Sequence, residues 1–131
     1  MVEMALVLPI FFTVLLGIVE FGRAMMVGQL ITNAAREGAR LAIVDGTTNS
    51  DVTTYVTDFL LESANVIASD VTVTIVITPA TGNPAVGDVS GALTRDLVSV
   101  DVAIPFNKVS YITGNFLEGK TLTGQSAMRH E

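Results

Sequence analysis

The feature that most constrains this chain is an uncharged run from Met4 to Val19, rich in Leu, Val, Ile and Phe. As an α-helix, this run would be about 24 Å long at ~1.5 Å per residue, slightly shorter than the ~30 Å hydrocarbon core of a bilayer. Apolar residues continue to Val27, past Glu20 and Arg23, whose spacing of three lets them pair on one helix face. The run therefore predicts a helix that suits a membrane or the core of a helix bundle.

The flanks of this run differ from those of a removable secretory signal, which has a basic segment before its apolar core and a small-residue cleavage site after it. Here the run follows Glu3 without a basic segment, and no such cleavage site comes after it. We therefore expect a retained anchor whose leader is missing from the sequence.

The predicted helix continues well beyond the uncharged run. No turn cluster interrupts the chain before Asp45-Gly46, so we expect one helix over about Met4–Val44. Three small residues recur at intervals of four in its second half, and we expect them to pack the helix onto the chain's own sheet: Ala34, Gly38 and Ala42. Ala24 and Gly28 have the same spacing nearer the apolar end, where we expect contact between the helices of neighbouring subunits.

The remaining chain predicts one amphipathic helix and a small sheet. The helix fits Ser50–Ala68, with Ser50 or Asp51 as its cap. Three segments then alternate apolar and polar residues, as strands with one covered face do: 71–77, 98–104 and 120–129. The fold class is therefore α+β, with a long N-terminal hydrophobic helix and a second helix packed on an antiparallel sheet of about three strands. We divide the chain into an anchor and assembly part, 1–28, and an extracytoplasmic head, 29–131.

The charge and the rare residue types of the chain exclude several functions. The formal net charge of −6 comes entirely from the residues after the long helix, which argues against nucleic-acid binding. The chain has no cysteine, which excludes disulfides. Its one histidine, His130, is penultimate and is predicted to be solvated. We therefore predict no catalytic site, no metal site, no cofactor and no enzymatic activity.

Two residues of the apolar run have special chemistry. Glu3 places a carboxylate at the head of the run, where it is costly in lipid or in a bundle unless it has a partner. It can simply favour the helix dipole, or it can meet the positive amino terminus of a neighbouring subunit, and the sequence supports both equally. Pro9 removes one backbone hydrogen bond, so we expect a kink or a melted turn there.

Several blocks of the sequence resemble the TadE-like proteins, which are pilins and pseudopilins of the tight-adherence branch of type IV pili. The matching blocks are Val2–Pro9, Gly17–Arg23, Ala34–Arg40 and the C-terminal Met128–Glu131. The resemblance implies a basic leader removed by a prepilin peptidase, extraction from the inner membrane by an assembly platform with an ATPase, and packing of the apolar helices in a filament. It also implies an assembly role for Glu3. In type IV pilins that glutamate is usually the fifth residue, so either two residues precede Met1 or processing differs.

These observations predict a structural subunit of a type IV-like, Tad-type pilus. It would lie in the inner membrane first and on the cell surface later, as a helical homo-oligomer or together with other pilins. The residues expected to make the assembly contacts are Glu3, Leu6, Pro9, Phe11, Leu15, Ala24 and Gly28. The alternatives are a membrane-anchored minor pseudopilin and a monomeric extracytoplasmic binding module.

Overall fold

The structure is a computed structural model that describes residues 2–111 and 117–131. Two α-helices and three strands make up its regular structure: α1 (Val2–Ala42), α2 (Asn49–Ala64), β1 (Thr72–Thr78), β2 (Leu97–Pro105) and β3 (Thr121–Arg129). The strands form one antiparallel sheet in the order β1-β2-β3. The predicted α+β class, with its long apolar helix, second helix and three-stranded sheet, is confirmed.

Helix α1 runs without interruption through Pro9. The melted turn predicted at this residue is therefore wrong, while the kink predicted as the other possibility remains a prediction. The ring removes a single N–H donor from a helix of 41 residues, and the turns on either side keep theirs. The Thr13 hydroxyl donates to the Pro9 carbonyl at 2.8 Å, which adds a side-chain bond to the same stretch.

Helix α2 begins one residue before the predicted position and ends four residues earlier. Its cap is Thr48 and not Ser50 or Asp51. The Thr48 hydroxyl accepts from the Asp51 N–H while the Asp51 carboxylate accepts from the Thr48 N–H, which is a capping box. Asn65 then adopts a left-handed conformation (φ 54°) that ends the helix before residue 68.

Both helices cover one face of the sheet, and the core lies between this face and the helices. The central strand contributes Val98, Val100, Val102 and Ile104, all fully buried. Helix α1 lies directly on β3 at Gly124, where a Cβ atom would come within 2.8 Å of the Thr32 backbone nitrogen. Gly38 has a similar role beside α2, since its Cβ would lie 2.6 Å from a Val56 methyl group. The small residues Ala34, Gly38 and Ala42 are all buried. They were predicted to pack α1 onto the sheet, but at Gly38 the nearest neighbour is on α2, and Val100 of the sheet follows at 3.4 Å.

The C-terminal end of the sheet is more ordered than the sequence indicated. His130 is 7% exposed, so the prediction of a solvated residue is wrong. Its N–H donates to the Asp96 carbonyl and its own carbonyl accepts from Arg95, which extends the pairing of β2 with β3 by one step. Its Nε2 atom lies 3.5 Å from the Asp45 carboxylate. The pairing with a distant strand, rather than the position in the chain, decides its burial.

Candidate assembly and membrane surface

The first part of α1 projects beyond the head as an apolar rod. Residues 2–19 are exposed along its length, with only Gly17 partly covered. The helix is long and apolar enough to cross a membrane, and its most apolar stretch is not buried by any described residue. Burial of large apolar side chains is the main favourable term in folding. An exposed apolar surface of this size therefore indicates that lipid or another protein covers it.

The residues predicted to make assembly contacts fall into two groups. Five of them lie on the projecting rod, all of them exposed: Glu3, Leu6, Pro9, Phe11 and Leu15. The carboxylate of Glu3 is in the first turn, where the helix dipole favours negative charge. No described side chain hydrogen-bonds to it. Its predicted pairing with another subunit remains a prediction.

Ala24 and Gly28 lie where the helix meets the head. Ala24 packs partly against the head's own core. Gly28 is half-buried, and a Cβ atom at this position would meet nothing within 4 Å. The structure thus leaves room beside Gly28 for the close approach of another helix. The predicted contact between subunits at these two residues remains a prediction.

A buried carboxylate marks the junction between the rod and the head. Glu20 is 2% exposed although it follows the apolar run directly. Its carboxylate accepts from the Ser110 hydroxyl at 2.5 Å and from the Tyr111 N–H at 3.1 Å. Both donors belong to the segment 109–111 that follows β2. A buried charge is tolerated only with such donors, so the contact holds this segment against the helix.

Arg23 joins the same segment from one turn further along. Its Nε atom donates to the Val109 carbonyl at 2.9 Å, and a terminal nitrogen donates to the Ala64 carbonyl at 3.0 Å. The guanidinium also stacks on the Tyr111 ring, 4.6 Å from its centre. Ala64 is the last residue of α2, and a cation is favourable at a helix C-terminus. Arg23 therefore connects α1, the end of α2 and the segment 109–111.

Sequence reasoning missed this junction, which we call the base cluster: Glu20, Arg23 and residues 109–111. The only signal was the presence of two charges at the end of an apolar run. Their spacing suggested that they pair with each other, whereas their hydrogen bonds to the head reach partners 41 to 91 positions away along the chain. Only the contact of Arg23 with the Met26 sulfur is local among the described residues. No local pattern specifies the distant partners.

The far end of the head has a second buried carboxylate with a structural role. Asp96 is fully buried and accepts from the Ala80 N–H, the Asn83 side-chain amide and the Leu93 N–H. These donors, in that order of effect, hold the pKa of the Asp96 carboxyl below its usual 3.8, and the neighbouring His130 adds a smaller lowering. The arrangement ties the loop after β1 to the turn before β2. Within residues 2–111 and 117–131, no group of three or more His, Asp or Glu side chains could hold a metal ion.

Residues 1–40 match the family model of TadE-like proteins. The match covers most of α1 and confirms the resemblance predicted from the three N-terminal blocks, whereas the C-terminal block Met128–Glu131 lies outside the matched residues. It shows that this N-terminal part of the chain is similar to TadE-like proteins. Comparison with curated proteins and with solved structures gives no match.

Proposed function

Taking residues 1–40 as a TadE-like block, we propose that this chain is a structural subunit of a Tad-type pilus. It assembles through the projecting part of α1 and displays the acidic head on the outside. Before assembly the same helix holds the chain in the inner membrane. The observation that carries this proposal is the rod of residues 2–19, which is apolar and uncovered and lies inside the matched block.

The transfer from membrane to filament exchanges one apolar environment for another. Lipid is as apolar as the core of a helix bundle, so burial of apolar surface gives little net gain. Close packing of side chains such as Leu6, Phe11 and Leu15 supplies dispersion contacts. Glu3 supplies a specific polar contact, because a carboxylate without a partner among apolar helices is unfavourable. The positive amino terminus of an adjacent subunit would satisfy it.

The test is electron microscopy of sheared surface fractions from cells that produce the natural chain, Glu3→Ala or Glu37→Ala. Glu37 is a matched control, since it is an exposed glutamate of the same helix that lies on the head. We expect abundant filaments that contain the natural chain and the Glu37→Ala variant, and loss of filaments with Glu3→Ala. If filaments form equally well with Glu3→Ala, the assembly role proposed for Glu3 is wrong.

Two other outcomes would favour the alternatives. Trace amounts of the chain in filaments built from another protein would indicate a minor pseudopilin. A chain that stays in the membrane whatever residue occupies position 3 would indicate a monomeric binding module. Cysteines introduced singly at Ala24 and Gly28 test the helix contact, because the natural chain has no thiol. Absence of cross-linked dimers in purified filaments would contradict the predicted contact.

A further inference from the structure

The length of the anchor presents a physical problem. The uncharged run of about 24 Å is shorter than the hydrocarbon core of about 30 Å, and two charges follow it at Glu20 and Arg23. Judged by sequence alone, the lipid-compatible part of the helix would end at residue 19. The bilayer would then have to thin, or the charged side chains would have to reach past lipid to water.

The base cluster changes this estimate, because both charges face the head. Glu20 is almost completely buried under Ser110 and Tyr111. Arg23 is half-buried and donates to the Val109 and Ala64 carbonyls. The other terminal nitrogen of Arg23 lies 4.0 Å from the Met26 sulfur, so the guanidinium borders the outward face of α1 while its strongest contacts are with the head.

The outward face of α1 stays apolar for almost two further turns. Phe21, Met25 and Met26 are each more than half exposed, at 60%, 62% and 51%. The next exposed residue on the helix is Gln29, and beyond it Asn33 begins a polar surface. From Val2 to Met26 the helix measures about 37 Å at ~1.5 Å per residue. That length spans the hydrocarbon core with room for tilt.

The inward side of the same turns is covered by a segment suited to the bilayer interface. Tyr111 is 69% exposed, and its ring lies against the Arg23 guanidinium. Tyrosine concentrates at the headgroup level of membranes because its ring is apolar and its hydroxyl is polar. An arginine whose stem crosses apolar surface and whose head reaches polar groups is favourable at the same depth.

We propose that the lipid-contacting surface of the chain extends to Met26 on the outward face of α1, with segment 109–111 lying in the headgroup layer beside it. The base of the head is then a lipid-binding surface, and the base cluster keeps the two helix charges away from lipid. The proposed occupant is the bilayer itself, since the exposed apolar face is continuous with the part of the helix that is long enough to span it. The proposal rests on the membrane anchoring proposed above, concerns the unassembled chain and does not depend on filament formation.

The first test uses the absence of cysteine from the chain. Single variants Met25→Cys, Gln29→Cys and Tyr55→Cys of the full chain are placed in phosphatidylcholine vesicles and treated with a membrane-impermeant maleimide. Tyr55 is the exposed control, because it lies on α2 beside Glu37 and Arg40, well away from the base. Its labelled fraction also measures how many heads face outward.

We expect Met25→Cys to label at least about tenfold more slowly than Gln29→Cys and Tyr55→Cys, because a thiol in an apolar layer has a raised pKa and little reactive thiolate. In denaturing detergent the three variants should label alike. Labelling of Met25→Cys as fast as Gln29→Cys in vesicles would place the boundary before residue 25 and overturn the proposal.

The second test separates contact with lipid from contact with another protein chain. The sequence has no tryptophan, so Met25→Trp, Tyr111→Trp and Tyr55→Trp each carry a single tryptophan, whose fluorescence is excited apart from that of the tyrosines. In vesicles of brominated phosphatidylcholine, we expect strong quenching at positions 25 and 111 and almost none at 55. If the thiol of Met25→Cys is protected but the tryptophan of Met25→Trp is not quenched, protein and not lipid covers this face. If Tyr111→Trp is quenched no more than Tyr55→Trp, the head stands clear of the bilayer. Either result would contradict the proposal.

Discussion

Replacement of Gly124 by alanine tests how closely the long helix must approach the sheet. Gly124 is in the middle of β3, opposite Val102 of the central strand. A Cβ atom at this position would lie 2.8 Å from the Thr32 nitrogen and 2.9 Å from the Ile31 carbonyl carbon. Both atoms belong to the backbone of α1, so no change of side-chain rotamer relieves the contact. The helix itself has to move.

The expected effect is a balance between two terms. The helix has to retreat by roughly 0.6 Å, from 2.9 Å between the added Cβ and the Ile31 carbonyl carbon to the ~3.5 Å at which non-bonded carbon atoms make normal contact. Overpacking of this kind costs about 1–3 kcal/mol, while removal of a strand glycine returns about 0.5–1 kcal/mol. We expect a net loss of about 1–2 kcal/mol, because the clash involves the backbone. For a domain of this size, that loss lowers Tm by roughly 4–12 °C.

Calorimetry of the full chain in detergent micelles measures this shift. Gly28→Ala is the control, since Gly28 lies in α1 with open space around its Cβ position. It should raise the stability by about 0.4–1 kcal/mol through helix propensity and a less flexible unfolded chain. A Gly124→Ala variant as stable as the natural protein would show that the helix and β3 are further apart than described.

Two further predictions concern the head. Thr48→Ala removes the capping box of α2 and should lower the free energy of unfolding by about 1 kcal/mol. The control Thr53→Ala, at an exposed site inside the same helix, should change it less. Denaturant titration compares the two variants, and equal losses would contradict the capping role. Asp96→Asn should flatten the acid dependence of stability: because the folded pKa of Asp96 lies below its usual 3.8, its contribution is present above pH 3.8 and is lost as the pH falls through the folded pKa. In thermal melts between pH 2 and 6, the Tm values of the natural chain and of Asp96→Asn should therefore converge at the acid end. The control Asp58→Asn, at an exposed helix position, should follow the natural chain. If the Tm difference between Asp96→Asn and the natural chain were the same at every pH, the role given to the Asp96 carboxylate would be wrong.

The helices and strands, which depend on the pattern of neighbouring residues, were predicted well from the sequence. The period of α1 and the alternation of the three strands depend on which residues follow each other, and both appear in the structure with ends shifted by a few residues. The cap of α2 was missed, although Thr48 and Asp51 have the spacing of a capping box. Ser50 and Asp51 are also good caps, and sequence alone does not say which oxygen reaches the free amides.

The environment of individual polar residues depended on distant parts of the chain. His130 looked like a terminal, solvated residue, but the pairing of β3 with β2 brings it beside Asp96 and the end of α1. The base cluster joins residues of α1 to a segment that follows the central strand. Such contacts follow from the register of the sheet and from the angle at which α1 crosses it, and neither quantity has a local signature.

The region from Glu20 to Val27 explains why the chain has no simple boundary between anchor and head. The predicted division at residue 28 remains a functional prediction, but the contacts of the head with α1 already begin at Glu20. Val27 is fully buried in the core that α1 shares with the sheet, while Met26, the residue before it, is exposed. One face of these two turns thus belongs to the folded head and the other continues the apolar rod. A head that is packed along the helix in this way cannot pivot freely about it. Contacts made by the rod with lipid or with other subunits therefore fix the orientation of the whole head.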